Sequence, residues 1–212
     1  MATTPPTSSR PRRNQAQRSA ATREALLNAT LACLVEHGYA NTTTARVAER
    51  AGVSRGAHLH HFQTRDTLLA AAADHLAQRR AKHLLAAADA LPTGGDRVAQ
   101  GLDLLFDSYN NPLYLATLDL WIHGRTDTEL RRHLIPIERQ FDRQTMELAR
   151  RLFPDAAERP DFERLVELAL AAIRGLVVVD ALHAGGARAS RQWGACRDQL
   201  VALFEAGGAT AS

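Results

Sequence analysis

The sequence predicts an all-α fold. Apolar residues make up 45% of the 212 residues but aromatic residues only 5%, and alanine and leucine, both strong helix formers, supply the apolar side chains instead. Few stretches show the alternation of apolar and polar residues that a half-buried strand requires, whereas apolar residues recur at helical spacing along the chain. We expect about nine helices, in one large domain or two small ones.

Residues 43–62 contain two short helical patterns separated by a turn. In the first pattern, Val47, Ala48 and Ala51 have the spacing of a buried stripe on one face of a helix. Thr43 precedes this pattern, and its hydroxyl can accept a hydrogen bond from an amide of the first turn that has no partner within the helix. The first pattern is therefore predicted to be a capped, amphipathic helix.

A glycine and a serine define the turn between the two patterns. Gly52 can adopt the left-handed conformation with which many helices end. Val53 supplies an apolar contact for the turn, and Ser54 can cap a second helix over residues 55–62. Two short helices joined in this way are typical of a helix-turn-helix.

The second helix has few large apolar residues and contains three histidines, His58, His60 and His61. Because it can bury little, its polar side chains are expected to face a partner. Gly56 and Ala57 leave one face without bulk, which allows a close approach to the floor of the major groove of DNA. A helix-turn-helix whose second helix recognises DNA is the favoured interpretation.

This segment resembles the DNA-binding domain of the TetR family of bacterial transcriptional regulators. The resemblance extends upstream to residues 38–39, which end a first helix, and downstream to residues 64–69, which open a fourth. The chain departs from the family at His58, Leu59 and His61, where members often carry leucine, tyrosine and tyrosine. The resemblance implies a three-helix DNA-binding head and a larger helical body, which holds a ligand cavity and forms a homodimer through its last two helices.

The candidate DNA contacts follow from base chemistry and from family position. We expect Arg55 to be the main base contact, because a guanidinium can bridge O6 and N7 of guanine. The family position of His58 usually faces the core. If several of the histidines contact phosphates, the affinity for the operator should strengthen as the pH falls through about 6.5, where imidazole protonates. The full set of candidate contacts is Thr43, Thr44, Arg55, Gly56, Ala57, Leu59, His60, His61 and Arg65.

Charge is distributed unevenly along the chain. Residues 1–65 hold nine arginines and three acidic residues, a net charge of +6, whereas residues 66–212 have a net charge of −3, which together make +3. A basic first third on a mildly acidic remainder is typical of a head that binds a polyanion. Residues 1–18 are too polar to bury anything and are expected to be a disordered basic arm. This arm either lies near DNA phosphates or is solvated without a contact.

The rest of the chain divides into a helix-turn-helix domain, residues 19–64, and a ligand-binding and dimerisation domain, residues 65–212. The last two predicted helices, over residues 162–183 and from residue 190 onwards, have strong apolar stripes. They can pair with their copies around a twofold axis, or they can complete the core of a monomer. A homodimer is favoured, because it places two recognition helices about 34–36 Å apart along one face of the duplex.

A small-molecule effector would bind in the body. Aromatic side chains with an occasional charge are typical of a largely apolar ligand pocket, although each of them is explained equally well as part of the core. The candidate contacts are Phe106, Tyr109, Tyr114, Leu118, Trp121, Ile122, Arg125 and Arg174.

Other classes of function have weaker support. A zinc site among the histidines lacks a pair of cysteines or an HExxH pattern, and the two isolated cysteines are expected to be free thiols. No GxSxG or phosphate-binding glycine pattern occurs, so we expect no enzyme, cofactor or metal. With no signal peptide and no apolar run near the roughly 18 residues of a membrane span, the protein is expected to be cytoplasmic. The alternatives to a ligand-responsive repressor on a palindromic operator are a helical interaction module or a small enzyme without DNA binding.

Overall fold

The computed structural model describes residues 15–92, 96–181, 183 and 187–206. These residues form nine α-helices and no strand, which confirms the all-α prediction. In chain order the helices are α1 (Gln15–Asn41), α2 (Thr44–Ala51), α3 (Arg55–His61), α4 (Arg65–Asp89), α5 (Arg97–Tyr109), α6 (Pro112–Gly124), α7 (Thr128–Leu152), α8 (Phe162–Asp180) and α9 (Ala187–Glu205).

The first three helices and the start of α4 enclose a small apolar core, which forms the head. Leu26 and Leu27 of α1 lie in it together with Val47 of α2 and Leu68 of α4, and none of these side chains is more than 1% exposed. Phe62, the residue that follows α3, completes this core. Helix α3 is thus anchored at its C-terminal end.

The turn between α2 and α3 has the predicted geometry. The hydroxyl of Thr43 accepts a hydrogen bond from the backbone N–H of Arg46 at 3.2 Å, and the hydroxyl of Ser54 accepts one from Ala57 at 3.2 Å. Gly52 has a φ of 65°, the left-handed region in which a β-carbon is unfavourable. Each helix therefore begins at a side-chain cap, and α2 ends at the glycine.

Helix α1 starts earlier than the sequence predicts. It begins at Gln15, so the boundary of the expected disordered arm at residue 18 is corrected. Alanine, glutamine and arginine dominate the segment from Gln15 onwards, and their helix propensity extends the first helix. The rest of the predicted arm, residues 1–14, lies outside the described residues. At the other end Gly38, with a φ of 72°, interrupts the helix as predicted.

The body has a second and larger core. Tyr109 of α5, Leu152 of α7 and Ile173 of α8 are completely buried in it, and the ring of Phe106 stacks on that of Trp193 with centroids 4.6 Å apart. Helices α8 and α9 therefore contribute to the core of a single chain. Within the part of the chain that the structure describes, no helix combines the length and apolarity needed to cross a membrane.

A polar contact links the head to α6. Tyr39, directly after the break in α1, donates its backbone N–H to Asp119 Oδ2 at 3.0 Å. The ring of Tyr39 stacks on the imidazole of His123 with centroids 4.1 Å apart. His123 Nδ1 in turn lies 3.2 Å from Asp119 Oδ1. The orientation of the head relative to α6 is thus held by specific side chains.

Gly101 of α5 packs so closely on the C-terminal end of α7 that a β-carbon there would lie 2.7 Å from the ring of Phe153, the residue that follows α7. We expect Gly101→Ala to lower the free energy of unfolding by about 1–2 kcal/mol, because the overlap costs up to about 3 kcal/mol and the gain in helix propensity returns only roughly 1 kcal/mol. Urea denaturation measures the change, with Gln100→Ala at the exposed neighbouring position as the control. A Gly101→Ala protein as stable as the wild type would contradict the packing argument.

Candidate DNA-binding surface and central cavity

Helix α3 presents most of the candidate DNA contacts on one short, exposed element. Its cap at Ser54 and its anchor at Phe62 hold its two ends, so the side chains between them have a defined orientation. The exposed residues are Arg55, Gly56, Leu59 and His60, and the half-buried ones are Ala57 and His61. Leu59 is 48% exposed, which suits contact with a thymine methyl group and not packing in the head.

The start of α2 carries two further candidate DNA contacts. Thr43 is exposed and Thr44 is half-buried. Although the Thr43 oxygen accepts from Arg46, its O–H remains able to donate to a phosphate oxygen. The other end of α2 is fixed to α1, because Arg50 forms two parallel hydrogen bonds of 2.5 Å with the carboxylate of Glu36. Helix α2 is therefore held by a side-chain bond near each of its ends.

Arg65 is bound to the protein itself. Its Nε donates to the carbonyl of Thr42 at 2.8 Å, and its Nη2 donates to the carbonyl of Tyr39. The guanidinium also lies over the Tyr39 ring, 4.1 Å from the centroid. In the free protein the Arg65 side chain thus ties the start of α4 to the end of α1 and to the residue that follows it, and its place among the candidate DNA contacts stays a prediction.

His58 faces the core of the head and is 3% exposed. Its Nε2 is buried and has no hydrogen-bond partner within the described ranges. Burial lowers the pKa of His58, and the nearby His61 adds to this effect. Burial also lowers the pKa of His61. Because their lowered pKa values disfavour protonation, His58 and His61 contribute less to the predicted strengthening of DNA binding at low pH than the sequence suggests.

The histidines do not gather into a metal site. Across residues 15–92, 96–181, 183 and 187–206, no three side chains of the His, Cys, Asp or Glu type are grouped closely enough to hold a metal ion. Cys33 lies in the core of the head and Cys196 is half-buried on α9, and both are free thiols as predicted.

A cavity of about 330 Å³ lies between α4, α5, α6 and α7. Small-molecule sites in proteins typically have about 300–1,000 Å³. Apolar side chains form most of its wall, namely Ala73, Leu76, Ala77, Leu84, Leu104, Leu113, Tyr114, Trp121, Ile137 and Phe141. Its polar residues are Arg80, His83, Asp107, Ser108, Asn111 and Thr117.

Two of the eight candidate ligand contacts, Tyr114 and Trp121, line this cavity. Phe106 and Tyr109 are buried in the body core, and Arg174 donates a hydrogen bond of 3.3 Å to the Tyr109 hydroxyl. The remaining three lie elsewhere: Leu118 is half-buried off the wall, Ile122 is 54% exposed, and Arg125 borders a separate, more open pocket. A single lining made of all eight is therefore corrected, because helical spacing does not show which face of α6 turns towards α4.

Arg80 lies on the wall of the cavity but was not among the ligand contacts predicted from the sequence. A signal exists in the pair Arg79-Arg80, which interrupts the apolar stretch of α4. Successive residues of a helix lie about 100° apart, so two adjacent arginines on a packed helix do not share one face. The structure turns Arg80 inwards and leaves Arg79 exposed.

Comparison with known proteins decides the family. Residues 26–72, which span α2, α3 and their flanking helices, match the model of the bacterial regulatory proteins of the tetR family. The chain is also 34% identical over 169 residues to the HTH-type transcriptional regulator CymR of Pseudomonas putida, a match that covers 79% of this chain and 83% of CymR. The chain belongs to the TetR family. This TetR-family protein is accordingly a DNA-binding transcriptional regulator.

Solved structures share the fold of this TetR-family protein. A transcriptional regulator from Rhodococcus sp. Rha1 superposes with a TM-score of 0.67 at 23% identity, over 87% of this chain and 96% of its own. FadR of Bacillus subtilis, in complex with stearoyl-CoA, gives a TM-score of 0.63 at 15% identity, over 85% and 96% of the two chains. At these identities the likeness shows the fold alone.

The buried His58 predicts how the stability of this TetR-family protein depends on pH. Because its pKa is lowered in the folded state, the unfolded chain binds more protons below the ordinary value of about 6.5, and stability falls as the pH drops through that value. We expect His58→Leu to lose less stability than the wild type between pH 7.5 and pH 5.5, values chosen about one unit on either side of it. Urea denaturation at both pH values measures this difference. An unchanged loss in His58→Leu would show that His58 is protonated without penalty in the folded head.

Proposed function

We propose that this TetR-family regulator is a ligand-responsive repressor that binds a palindromic operator as a homodimer. The observation that carries the proposal is the arrangement of α4. Its first turns pack in the head through Leu68, whereas its middle forms a wall of the cavity with Ala73, Ala77 and Arg80. One helix thus connects a candidate DNA-binding surface to a cavity of ligand size.

Recognition of bases falls to α3 in this proposal. Arg55 is exposed at its first position, from which a guanidinium can bridge O6 and N7 of guanine. Leu59 and His60 lie along the same exposed face. Thr43 and Thr44 at the start of α2 supply phosphate contacts, which set the register of the protein on the duplex.

The faces of α8 and α9 that point away from the core support a homodimer. Leu168, Val178 and Val179 of α8 and Leu203 of α9 are between 41% and 49% exposed. Gly175 lies on the same side of α8 as Leu168 and Val178. Apart from its chain neighbours and the backbone of its own helix, no atom of the described residues comes within 4 Å of where its β-carbon would be. A large apolar stripe with a small residue in it suits close packing against the same helices of a second copy.

Control by a ligand requires that the ligand bind the DNA-incompetent state more tightly than the competent one. Two helices can pass such a preference to the head. Helix α4 does so directly, and α6 carries Tyr114 and Trp121 on the cavity wall together with Asp119, which binds Tyr39. A ligand that displaces α6 or the middle of α4 would alter the spacing of the two recognition helices in the dimer. FadR, whose structure contains stearoyl-CoA, supports the expectation that an organic ligand is the effector.

The base contact is tested by selection of binding sites from random duplexes, followed by titration of the recovered site. We expect a palindrome, and we expect Arg55→Ala to lose about 1–3 kcal/mol of binding at fixed salt and to relax the preference at one symmetric position. Arg132→Ala is the control, since it removes the same charge from an exposed site on α7. Binding by Arg55→Ala equal to that of the wild type would exclude Arg55 as a base contact. Recovery of no site by a folded protein would count against the proposal itself.

The interface is tested by placing a charge on the exposed stripe of α8. We expect the wild type to have twice the chain mass of 23.2 kDa in solution and Leu168→Glu to dissociate at least about a hundredfold more readily, because burying an unpaired carboxylate costs several kcal/mol. Sedimentation equilibrium measures both. Ile135→Glu, on the 41% exposed Ile135 of α7, is the matched control. A monomeric wild type, or a Leu168→Glu dimer of undiminished stability, would contradict this interface.

A further inference from the structure

Arg80 places a positive charge in the wall of an otherwise largely apolar cavity. Its guanidinium carbon lies 3.9 Å from the ring centroid of Tyr109 and 5.1 Å from that of Phe141. Its Nη2 donates to the hydroxyl of Ser108 at 2.7 Å. The side chain is thus clamped between two rings and a hydroxyl, so that the guanidinium has a defined position.

The charge of Arg80 has no acidic partner. Among the residues that the structure describes, no carboxylate oxygen lies within 4.0 Å of its nitrogens, and its Nε is buried without a hydrogen bond. Arg174, on the hydroxyl side of the same Tyr109, has a buried Nε without a partner as well. A buried charge is costly unless an opposite charge compensates it.

Burial lowers the pKa of Arg80, and Arg174 adds to this effect by like-charge repulsion. A guanidinium nevertheless stays protonated at neutral pH. The cation is therefore retained in an environment that disfavours it, and the protein supplies no anion for it.

We propose that the cavity binds a small apolar organic anion, whose carboxylate or related acidic group pairs with the guanidinium of Arg80. The apolar part of the ligand would lie between Leu76, Trp121 and Ile137, which line the same cavity. The inference that this anion is the effector rests on the proposed function, whereas the preference for an anion rests on the cavity itself.

The acidic residue of the cavity, Asp107, does not reverse this preference. Asp107 is exposed to solvent, and no ion pair joins it to Arg80 among the described residues. Its own pKa is raised, first by partial burial and then by the neighbouring Asp103. A cationic ligand would have to bind beside the fixed charge of Arg80, whereas an anionic ligand would be repelled only by a carboxylate that water can screen.

The test compares two fluorescent probes that differ by one charged group, anilinonaphthalene sulfonate and uncharged N-phenylnaphthylamine, on the full chain. We expect Arg80→Met to weaken binding of the sulfonate about tenfold or more, as the loss of a charge-assisted pair implies, and to change binding of the amine less than about twofold. Arg79→Met, which removes the adjacent exposed arginine, is the matched control and should leave both affinities unchanged. Circular dichroism checks that each variant is folded.

Several outcomes would overturn the proposal. They are sulfonate binding that does not depend on Arg80, equal losses for both probes in Arg80→Met, and a wild type that binds the two probes equally. If Arg80→Met does not fold, the proposal is tested by displacing the sulfonate from the wild type with competing ligands. Naphthoate should displace it, and naphthylmethyl-trimethylammonium should not, whereas displacement by the cation in preference to the carboxylate would refute an anion site.

DNA binding separates this inference from the proposed function. Naphthoate should weaken the complex of the wild type with the selected operator, and the same concentration should weaken the complex formed by Arg80→Met less. If probe binding depends on Arg80 but the protein selects no operator, the anion site is supported and the repressor function is refuted. If the protein binds an operator but probe binding does not depend on Arg80, the repressor function is supported and the anion site is refuted.

Discussion

Helix α4 contributes to the core of the head, to the core of the body and to a third, smaller apolar cluster. Leu68 packs in the head, Leu69 in the cluster at the junction with α6 and α7, and Leu84 in the body. A helix of 25 residues is about 37 Å long and stiff over that length, so its two ends do not move independently. Arg65 locks the first turn to the loop after α1, and Arg80 faces the cavity further along. One continuous helix therefore joins the cavity wall to the head.

The recognition helix depends on the rest of the head, because seven residues are too few to form a stable helix in water. Its start is held by the Ser54 cap and its end by Phe62. Between them, His58 occupies a core position while Arg55 and Leu59 remain exposed. A titratable side chain thus lies in the core of the head, and its lowered pKa is the basis of the predicted dependence of stability on pH.

Arg80 gives chemical character to a cavity whose other walls are mainly apolar. Apolar walls select for size and shape, whereas a clamped and uncompensated guanidinium selects for charge. The rings of Tyr109 and Phe141 hold this group in place and connect it to the body core. The same core supports the outward faces of α8 and α9, so the ligand site and the proposed dimer interface share one packed framework.

Local interactions made the helix-turn-helix predictable, whereas the fates of single polar side chains required the folded chain. The hydrogen bonds of Thr43 and Ser54 join residues three apart, and Gly52 acts through its own backbone, so residue type and spacing were sufficient for the fold class and for α3. The bonds of Arg65 join it to carbonyls 23 and 26 residues away, and the inward turn of Arg80 depends on how α4 packs against α5 and α7. Helical periodicity identifies a buried stripe, but it does not say which neighbour covers that stripe or which polar group it encloses. For this reason the sequence was sufficient to predict the class of function, whereas only the packing of the helices placed the charge of Arg80 in the cavity.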